Sequence, residues 1–285
     1  MSSNPIIFSV DVEDWQQSTW DRNLPISKKS ADNTLFLLDV LNEYKIKTTM
    51  FILGKFAKEF PNVVKEIHKN GHEIGCHGHG HEEIFHLNKN LFKSDVSKSK
   101  DCIEQIIGHS VLGYRAPDFS IVENTTWALE VLIELGFEYD SSIFPIYHGR
   151  YGIPYWPSFI NSIIINNDKS IIEFPLSTGK IGKYNLPIAG GGYFRLFPRK
   201  VFFYFLEKTL KKQPFIFYMH PYELDFKEFD KLDFKVPFKT RIHQGLGRKG
   251  FLNKLRFMFD KYDFTTFEKY LEKYRKRIPD YNIEI

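Results

Sequence analysis

The sequence of 285 residues lacks several features that would place it in a specialised class of protein. It has no run of about 18 consecutive apolar residues, the length that a membrane-spanning helix requires. It has no arginine-rich block, and a net charge of +4 spread along the chain gives little support for nucleic-acid binding. Its two cysteines, Cys76 and Cys102, can form one disulfide at most, so nothing requires an oxidising compartment.

The N terminus lacks the basic segment and long apolar run of a secretory signal peptide. Its first apolar stretch is interrupted by Asp11, Glu13 and Asp14. We therefore expect a cytoplasmic protein. With 42% hydrophobic and 26% charged residues, the chain has the composition of an ordinary globular protein with a sizeable core.

Short apolar stretches alternate with amphipathic stretches through the first half of the chain. Strands are predicted at residues 6–12, 47–53, 72–77, 112–116 and 137–141, and helices at 33–44, 61–70, 90–107 and 125–135. This alternation predicts parallel strands joined by crossover helices. Because there is no internal repeat and no linker, we expect one domain over residues 1–285.

The second half of the chain begins with a stretch rich in Gly, Pro and Tyr at residues 143–157. It is too long for an ordinary connection, which is typical of a binding loop. Beyond it the pattern predicts a hairpin at 163–165 and 170–174, a helix at 198–211, a buried strand at 215–219, a helix at 249–259, a strand at 264–267 and a last helix ending at 276.

Residues 71–81 contain four of the ten histidines of the chain. Neutral imidazole is a good zinc ligand, and His77 and His81 are four residues apart, as in helical zinc motifs. The two glycines between them oppose a helix, because each glycine in a helix interior costs about 1 kcal/mol relative to alanine. We predict a strand end that runs into a loop and binds a metal. An extended segment would align His77, His79 and His81, whereas a turn after Gly78 would bring only His77 and His81 together.

Polar side chains follow the predicted strands at their carboxyl ends, which is the edge where α/β barrels carry their active sites. In chain order these residues are Asp11 and Asp14, His77 and His81, Arg115, Asp140 and His220. Two histidines and one carboxylate make a three-ligand zinc site that leaves a position open for water, which predicts hydrolysis. Asp11 and His220 fit the roles of general base and general acid.

Several short motifs resemble, in order and spacing, those of the polysaccharide deacetylases of carbohydrate esterase family 4. They lie at residues 9–14, 77–81, 115–117 and 219–221, and residues 139–145, 148–152 and 190–196 are similar to the subgroup found in bacterial exopolysaccharide and surface-glycan loci. The resemblance covers nearly the whole chain. It implies a distorted (β/α)7-type barrel and a divalent metal ion, commonly zinc, that serves to hydrolyse N-acetyl groups on amino sugars.

The resemblance also implies a role for each matching position. Asp11 would be the base, Arg115 would orient it, and His220 would be the acid. The metal ligands would be His77, His81 and one carboxylate. The commonest family pattern has two adjacent aspartates, whereas this chain has Asp11, Val12, Glu13 and Asp14 in succession. We expect Asp14 to be the third ligand and keep Glu13 as the alternative.

Further positions are expected to contact the substrate, namely Asp140, Arg150 and Tyr151. Asp118 stands where many members of the family have an aromatic residue whose backbone N–H helps to hold the oxyanion. A backbone donor survives that change. His79 has no implied role.

The expected function is metal-dependent removal of N-acetyl groups from an amino sugar during surface polysaccharide biosynthesis. The substrate would be an oligosaccharide or a lipid-linked or nucleotide-linked sugar. The aromatic residues of the 143–157 loop suit the flat apolar faces of a sugar. Hydrolysis of another C–N bond, in a cyclic imide or ureide, is an alternative function. A non-catalytic glycan-binding module is a third, which the presence of both a candidate base and a candidate acid opposes.

Overall fold

A mostly parallel β-sheet forms the centre of the computed structural model, which describes residues 4–165, 169–230, 232 and 234–283. The prediction that the N terminus carries no signal peptide falls in part on residues 1–3, which lie outside the described residues. The described strands are β1 (Ile6–Val12), β2 (Thr49–Ile52), β3 (Glu73–Cys76), β4 (Gly113–Tyr114), β5 (Tyr139–Asp140), β6 (Asn161–Ile165), β7 (Lys169–Glu173), β8 (Thr178–Ile181), β9 (Tyr184–Pro187), β10 (Phe215–Met219), β11 (Phe264–Thr265) and β12 (Asp280–Ile283).

Helices connect the parallel strands and cover the outer face of the sheet. They are α1 (Lys28–Glu43), α2 (Gly54–Glu59), α3 (Pro61–Lys69), α4 (Lys89–Ile107), α5 (Ala128–Glu134), α6 (Gly191–Leu196), α7 (Arg199–Leu210), α8 (Phe238–Gly245), α9 (Arg248–Lys261) and α10 (Phe267–Tyr274). Within the part of the chain that the structure describes, no helix has the length and apolar character to cross a bilayer.

The strand order in the main sheet is β10-β1-β2-β3-β4-β5-β7-β6-β12, with β11 paired to β1. The strands β1 to β5 run parallel, with helices between each successive pair, so the predicted alternation is confirmed. The predicted hairpin is the antiparallel pair β6–β7. The short strands β8, β9 and β12 and the helices α2, α6 and α8 have no counterpart in the sequence prediction.

Two element boundaries differ from the prediction for local reasons. The first helix begins at Lys28 instead of 33, and Ser27 takes the N-cap position without a capping hydrogen bond from its side chain. The strand predicted at 264–267 ends at Thr265, because the Thr266 side chain accepts a hydrogen bond from Lys269 N and starts α10. A side-chain cap therefore accounts for the second of these boundaries.

The sheet is curled. Side chains from strands that are not neighbours in the sheet meet on its inner face. Arg115, just after β4, donates to the side chains of Ser9 and Asp11 on β1 at 2.7 and 2.8 Å, although β2 and β3 lie between these strands. A separate apolar cluster fills the inner face and includes Ile7, Phe51, Tyr139, Ile216 and Phe267. This curled parallel sheet with outer helices fits the expected distorted (β/α) barrel.

The amino ends of the strands are closed by α10. Phe267 stacks on Tyr139 with ring centroids 5.2 Å apart, and its backbone N–H donates to Thr49 Oγ1 at the start of β2. The Glu268 N–H donates to Glu73 at the start of β3. With this end plugged, the carboxyl ends of the strands are the end that remains available for a site. The single-domain organisation stays a prediction.

Two buried carboxyl groups, Asp140 and Glu173, lie side by side on β5 and β7. Glu173 Oε1 accepts from Ile143 N at 3.0 Å, and Asp140 Oδ1 accepts from Ser142 Oγ at 2.6 Å. Burial, reinforced by the adjacent Asp140 carboxyl, raises the pKa of Glu173 well above its ordinary value of 4.5. A proton shared between the two carboxyl groups follows from this arrangement.

We expect Glu173→Gln to make the stability of the protein less dependent on pH. Because the folded wild type holds this proton above pH 4.5 and the unfolded chain releases it, its free energy of unfolding falls as pH rises, by up to about 1.4 kcal/mol per pH unit. A glutamine amide can donate to Asp140 and accept from Ile143 without titrating. Urea denaturation of both proteins at several pH values measures the slopes. An unchanged slope in Glu173→Gln would contradict the shared proton.

Candidate active site

The carboxyl ends of the strands open into a cleft of about 620 Å³. The predicted site residues that line it are Asp11, His77, His81, Arg150, Tyr151 and His220, and Glu13 lines it with them. Asp14, Arg115 and Asp140 are not among the described residues of the cleft wall. The strand ends thus converge as predicted, but three of the expected side chains have other surroundings.

The chain turns sharply after β3, and this turn brings two histidines together. Gly78 has a φ of +73°, a left-handed conformation that glycine adopts readily. The rings of His77 and His81 lie 5.6 Å apart between centroids. His79 is directed elsewhere and is half-buried, and its backbone N–H donates to Asp95 at 2.8 Å. Of the two conformations considered for this segment, the structure has the turn after Gly78.

Glu13 is the carboxylate that meets these histidines. Its Oε2 lies 2.6 Å from His81 Nε2 and 3.9 Å from His77 Nε2, and all three residues are buried. That oxygen has no hydrogen-bond partner of acceptable geometry among the described residues. One ligand atom from each of the three lies within 4.8 Å of the others. A buried carboxylate oxygen without a partner, facing two imidazole nitrogens, is a donor set that fits a divalent cation.

The tautomer of His77 is set by a hydrogen bond on the far side of its ring. His77 Nδ1 lies 2.8 Å from the carbonyl oxygen of Arg115. Because a carbonyl oxygen can only accept, Nδ1 carries the proton and Nε2 presents a lone pair to the side of Glu13. Such a bond from the second ring nitrogen is how metal-binding histidines are generally oriented.

The expectation that Asp14 is the third ligand is wrong in this structure. Asp14 Oδ1 accepts from Gln16 N at 3.0 Å and Oδ2 accepts from Ser27 N at 2.5 Å, so both oxygens cap backbone N–H groups. Asp14 is the N-cap of a π-helical segment, Trp15–Trp20. Side chains alternate along a strand, so Asp11 and Glu13 point to the same face at the end of β1. The alternative ligand, Glu13, occupies the expected place.

Asp11 is held by Arg115, the residue predicted to orient it. The guanidinium is fully buried, and its Nη1 donates to Asp11 Oδ1 at 2.8 Å. Its Nε and Nη2 donate to the carbonyl and hydroxyl oxygens of Ser141 at 2.9 and 2.8 Å. Its flat face lies 4.4 Å from the centre of the Phe51 ring. The Asp11 carboxylate therefore has a defined position in the wall of the cleft.

His220 follows β10 and lies on the other oxygen of Glu13, with its Nε2 3.0 Å from Glu13 Oε1. Its Nδ1 lies 3.6 Å from Glu223 Oε2, and its ring stacks on Tyr222 with centroids 4.7 Å apart. Burial acts to lower the pKa of His220, but the Glu13 carboxylate outweighs burial, and with Glu223 it raises the pKa to about 10. Glu223 is therefore the second carboxylate beside the His220 ring, on the side of Nδ1.

The three residues expected to contact the substrate differ in whether they reach the cleft. The expectation for Asp140 is wrong, because its carboxyl is fully buried and is bound to Ser142 and Glu173. Arg150 and Tyr151 do line the cleft. Arg150 forms an ion pair with Asp118, which also lines the cleft, and the Tyr151 hydroxyl lies 3.2 Å from that of Tyr193.

Sequence reasoning missed two aromatic residues of the cleft wall, Trp20 and Tyr193. Trp20 remains 37% exposed and stacks on Phe234, with centroids 5.6 Å apart and ring planes within 10°. Tyr193 comes directly after the three glycines at 190–192. A signal existed for each, since Trp20 follows the acidic motif closely and Tyr193 lies in the 190–196 motif. Aromatic side chains at the wall of a cleft suit the apolar faces of sugar rings.

Comparison with known proteins divides the chain into two matching stretches. Residues 18–139 match the family described as polysaccharide deacetylase, and residues 141–272 match a domain family of unknown function, DUF3473. Over 95 residues the chain is 34% identical to a peptidoglycan-N-acetylglucosamine deacetylase of Bacillus cereus, covering 33% of this chain and 34% of that protein. Over 122 residues it is 32% identical to a peptidoglycan deacetylase of Helicobacter pylori, covering 41% and 40%.

These matched stretches therefore span only about a third to two fifths of the curated relatives. A solved structure from Mycobacterium smegmatis, provisionally described as a polysaccharide deacetylase, aligns over 99% of this chain and 98% of its own. Its TM-score is 0.64 and its sequence identity is 17%, so this likeness concerns the fold.

We expect Glu13→Ala to abolish tight binding of a divalent ion and Asp14→Ala to preserve it. Glu13 meets both histidines, whereas loss of the Asp14 cap should only destabilise the fold, by about 1 kcal/mol. Calorimetric titration of the metal-stripped proteins with Zn²⁺ measures the stoichiometry, expected to be about one ion per chain in the wild type. Tight stoichiometric binding by Glu13→Ala, or by the His77→Ala, His81→Ala double variant, would rule out this site.

Proposed function

We propose that this protein is a metal-dependent hydrolase that removes N-acetyl groups from an amino sugar, since residues 18–139 match the polysaccharide deacetylase family. The observation that carries the proposal is the meeting of three groups in one cleft. These are Asp11 held by Arg115, the Glu13, His77 and His81 cluster, and His220. We further propose that the sugar belongs to a glycan or glycan precursor of surface polysaccharide biosynthesis.

Glu13, His77 and His81 would hold the divalent ion, for which Zn²⁺ is the best fit to two imidazoles and one carboxylate. When bound, such an ion makes a water molecule more acidic and polarises the acetyl carbonyl group. Asp11 is not one of these three residues, and Arg115 fixes its direction. Its carboxylate is therefore available to take a proton from the attacking water.

The products of the proposed reaction are acetate and a free amine, so the leaving nitrogen must acquire a proton. His220 lies outside the three-residue cluster, and its ring faces the carboxylates of Glu13 and Glu223, which favour its protonated form. Proton donation from its ring to the nitrogen as the C–N bond breaks completes the reaction. Trp20 and Tyr193 at the cleft wall would contact the sugar faces. The cytoplasmic location and the choice among oligosaccharide, lipid-linked and nucleotide-linked substrates stay predictions.

Release of acetate from a panel of N-acetylated oligosaccharides, lipid-linked sugars and nucleotide sugars tests the proposed function directly. Asp11→Asn is the matched inactive control. It keeps an acceptor for Arg115 but cannot take a proton, so we expect activity to fall by about 10²–10⁴-fold while one divalent ion is still bound. The thermal unfolding temperature of Asp11→Asn, compared with that of the wild type, shows whether the protein remains folded when the buried Arg115 lies beside a neutral side chain. If Asp11→Asn loses its metal together with its activity, Asp11 is a ligand and not the base.

We expect His220→Ala to affect amide substrates much more than activated esters. An amine leaves poorly unless it is protonated, whereas the phenolate of an aryl acetate leaves without a proton. The ratio of kcat/KM values for an N-acetylated sugar and an aryl acetate, compared between wild type and variant, measures this difference. The variant should still bind its metal ion. An equal loss on both substrates would instead assign His220 to substrate binding or to the orientation of Glu13.

A further inference from the structure

The helix α8 packs little of its surface against the protein, which is unusual for a short helix. None of its eight residues is buried. Short helices are marginal in water and normally gain their stability by packing an apolar face against the protein. On α8 and the residue that follows it, three large apolar side chains are spaced four residues apart: Phe238, Ile242 and Leu246 are 75%, 48% and 58% exposed. Residues at this spacing lie along one side of a helix, so α8 presents an apolar stripe to its surroundings.

The chain around this stripe is strongly basic. Residues 235–250 contain five basic residues and no aspartate or glutamate. Four of the five, Lys235, Lys239, Arg241 and Lys249, are exposed, and Arg248 is buried. One of the exposed four, Arg241, lies 3.8 Å from Asp230. A helix that combines an exposed apolar stripe with surrounding basic residues is typical of segments that lie in the interface of an anionic bilayer.

The end of α8 is attached to the rim of the cleft. Arg195 Nη1 donates to the carbonyl oxygens of His243 and Leu246 at 2.9 and 2.6 Å. His243 and Gln244 line the cleft, as does Leu196, which is 44% exposed. The apolar stripe and the mouth of the cleft are therefore neighbouring parts of one surface.

We propose that the surface formed by Phe238, Ile242 and Leu246 with Lys235 and Lys239 docks this protein on an anionic lipid bilayer. Charge complementarity favours a bilayer over a second copy of the chain. In a symmetric dimer the same patch meets itself, so the basic residues of the two copies would face each other and repel. Anionic headgroups attract the same residues, and the apolar side chains enter the boundary between headgroups and acyl chains.

Docking at this place would turn the mouth of the cleft toward the membrane, so that a sugar carried on a lipid could enter it. That consequence rests on the proposed deacetylase function, whereas bilayer binding does not. The inactive variant Asp11→Asn should bind vesicles as well as the wild type does. Failure of catalysis and failure of docking are therefore separate results.

Co-sedimentation of the full chain with vesicles tests the proposal. Vesicles of phosphatidylcholine with about 30% phosphatidylglycerol should bind the protein at about 0.1 M salt, and pure phosphatidylcholine vesicles should bind it at least about tenfold less. Raising the salt to about 0.5 M should weaken binding, because the screening length shortens. Phe238→Ser with Ile242→Ser, and separately Lys235→Glu with Lys239→Glu, should each reduce binding by about tenfold or more.

Matched controls lie elsewhere on the surface. Lys65→Glu with Lys69→Glu makes the same charge change at exposed lysines of α3, and Phe36→Ser with Leu91→Ser removes apolar side chains that are 44% and 55% exposed. Both controls should bind anionic vesicles like the wild type. The proposal is overturned if the wild type does not bind anionic vesicles, or if the controls lose binding as much as the α8 variants. It is also overturned if sedimentation shows a dimer that Phe238→Ser with Ile242→Ser dissociates, since the face would then join two copies.

Discussion

A guanidinium group withdrawn from water must find acceptors inside the protein, and Arg115 finds them on β1 and just after β5. Its side chain fixes Asp11, while its own carbonyl oxygen fixes the ring of His77. One residue thus orients both the candidate base and a candidate ligand. Removing one partner of a buried ion pair costs about 3–5 kcal/mol, because the other charge is left uncompensated. The same contacts also require the sheet to curl, since they join strands that are not neighbours.

The curl of the sheet and the closure of its amino end by α10 explain why the candidate active site lies at the carboxyl end of the strands. Phe267 of α10 fills the amino end of the barrel among aromatic rings, and the polar groups there, Thr49 and Glu73, accept hydrogen bonds from backbone N–H groups of α10. At the carboxyl end the strands release their chains into loops, and the side chains of Asp11, His77 and His220 point into the cleft. The apolar core of the barrel therefore lies between an amino end that contributes to stability and a carboxyl end that carries the candidate active site.

Much of this architecture follows from patterns that the sequence carries locally. The alternation of strands and helices, the turn at Gly78 and the position of His220 after an apolar strand depend on short-range periodicity and on glycine. The misassigned residues depend on partners that are distant in sequence. Asp14 caps backbone groups as far away as Ser27, and Asp140 meets Glu173 on another strand. The period of two along β1 does place Asp11 and Glu13 on one face, so that signal was present and favours Glu13.

The choice of glutamate over aspartate as the ligand has a consequence for the acid. The two oxygens of Glu13 face different partners, with Oε2 toward His81 and Oε1 toward His220. Burial acts to raise the pKa of Glu13, but the charges of His81 and His220 outweigh burial and lower it well below its ordinary value. A single buried carboxylate therefore serves both the candidate metal centre and the candidate acid. Because His220 is positioned by the same group that would bind the ion, its proton and the ion share one local charge balance.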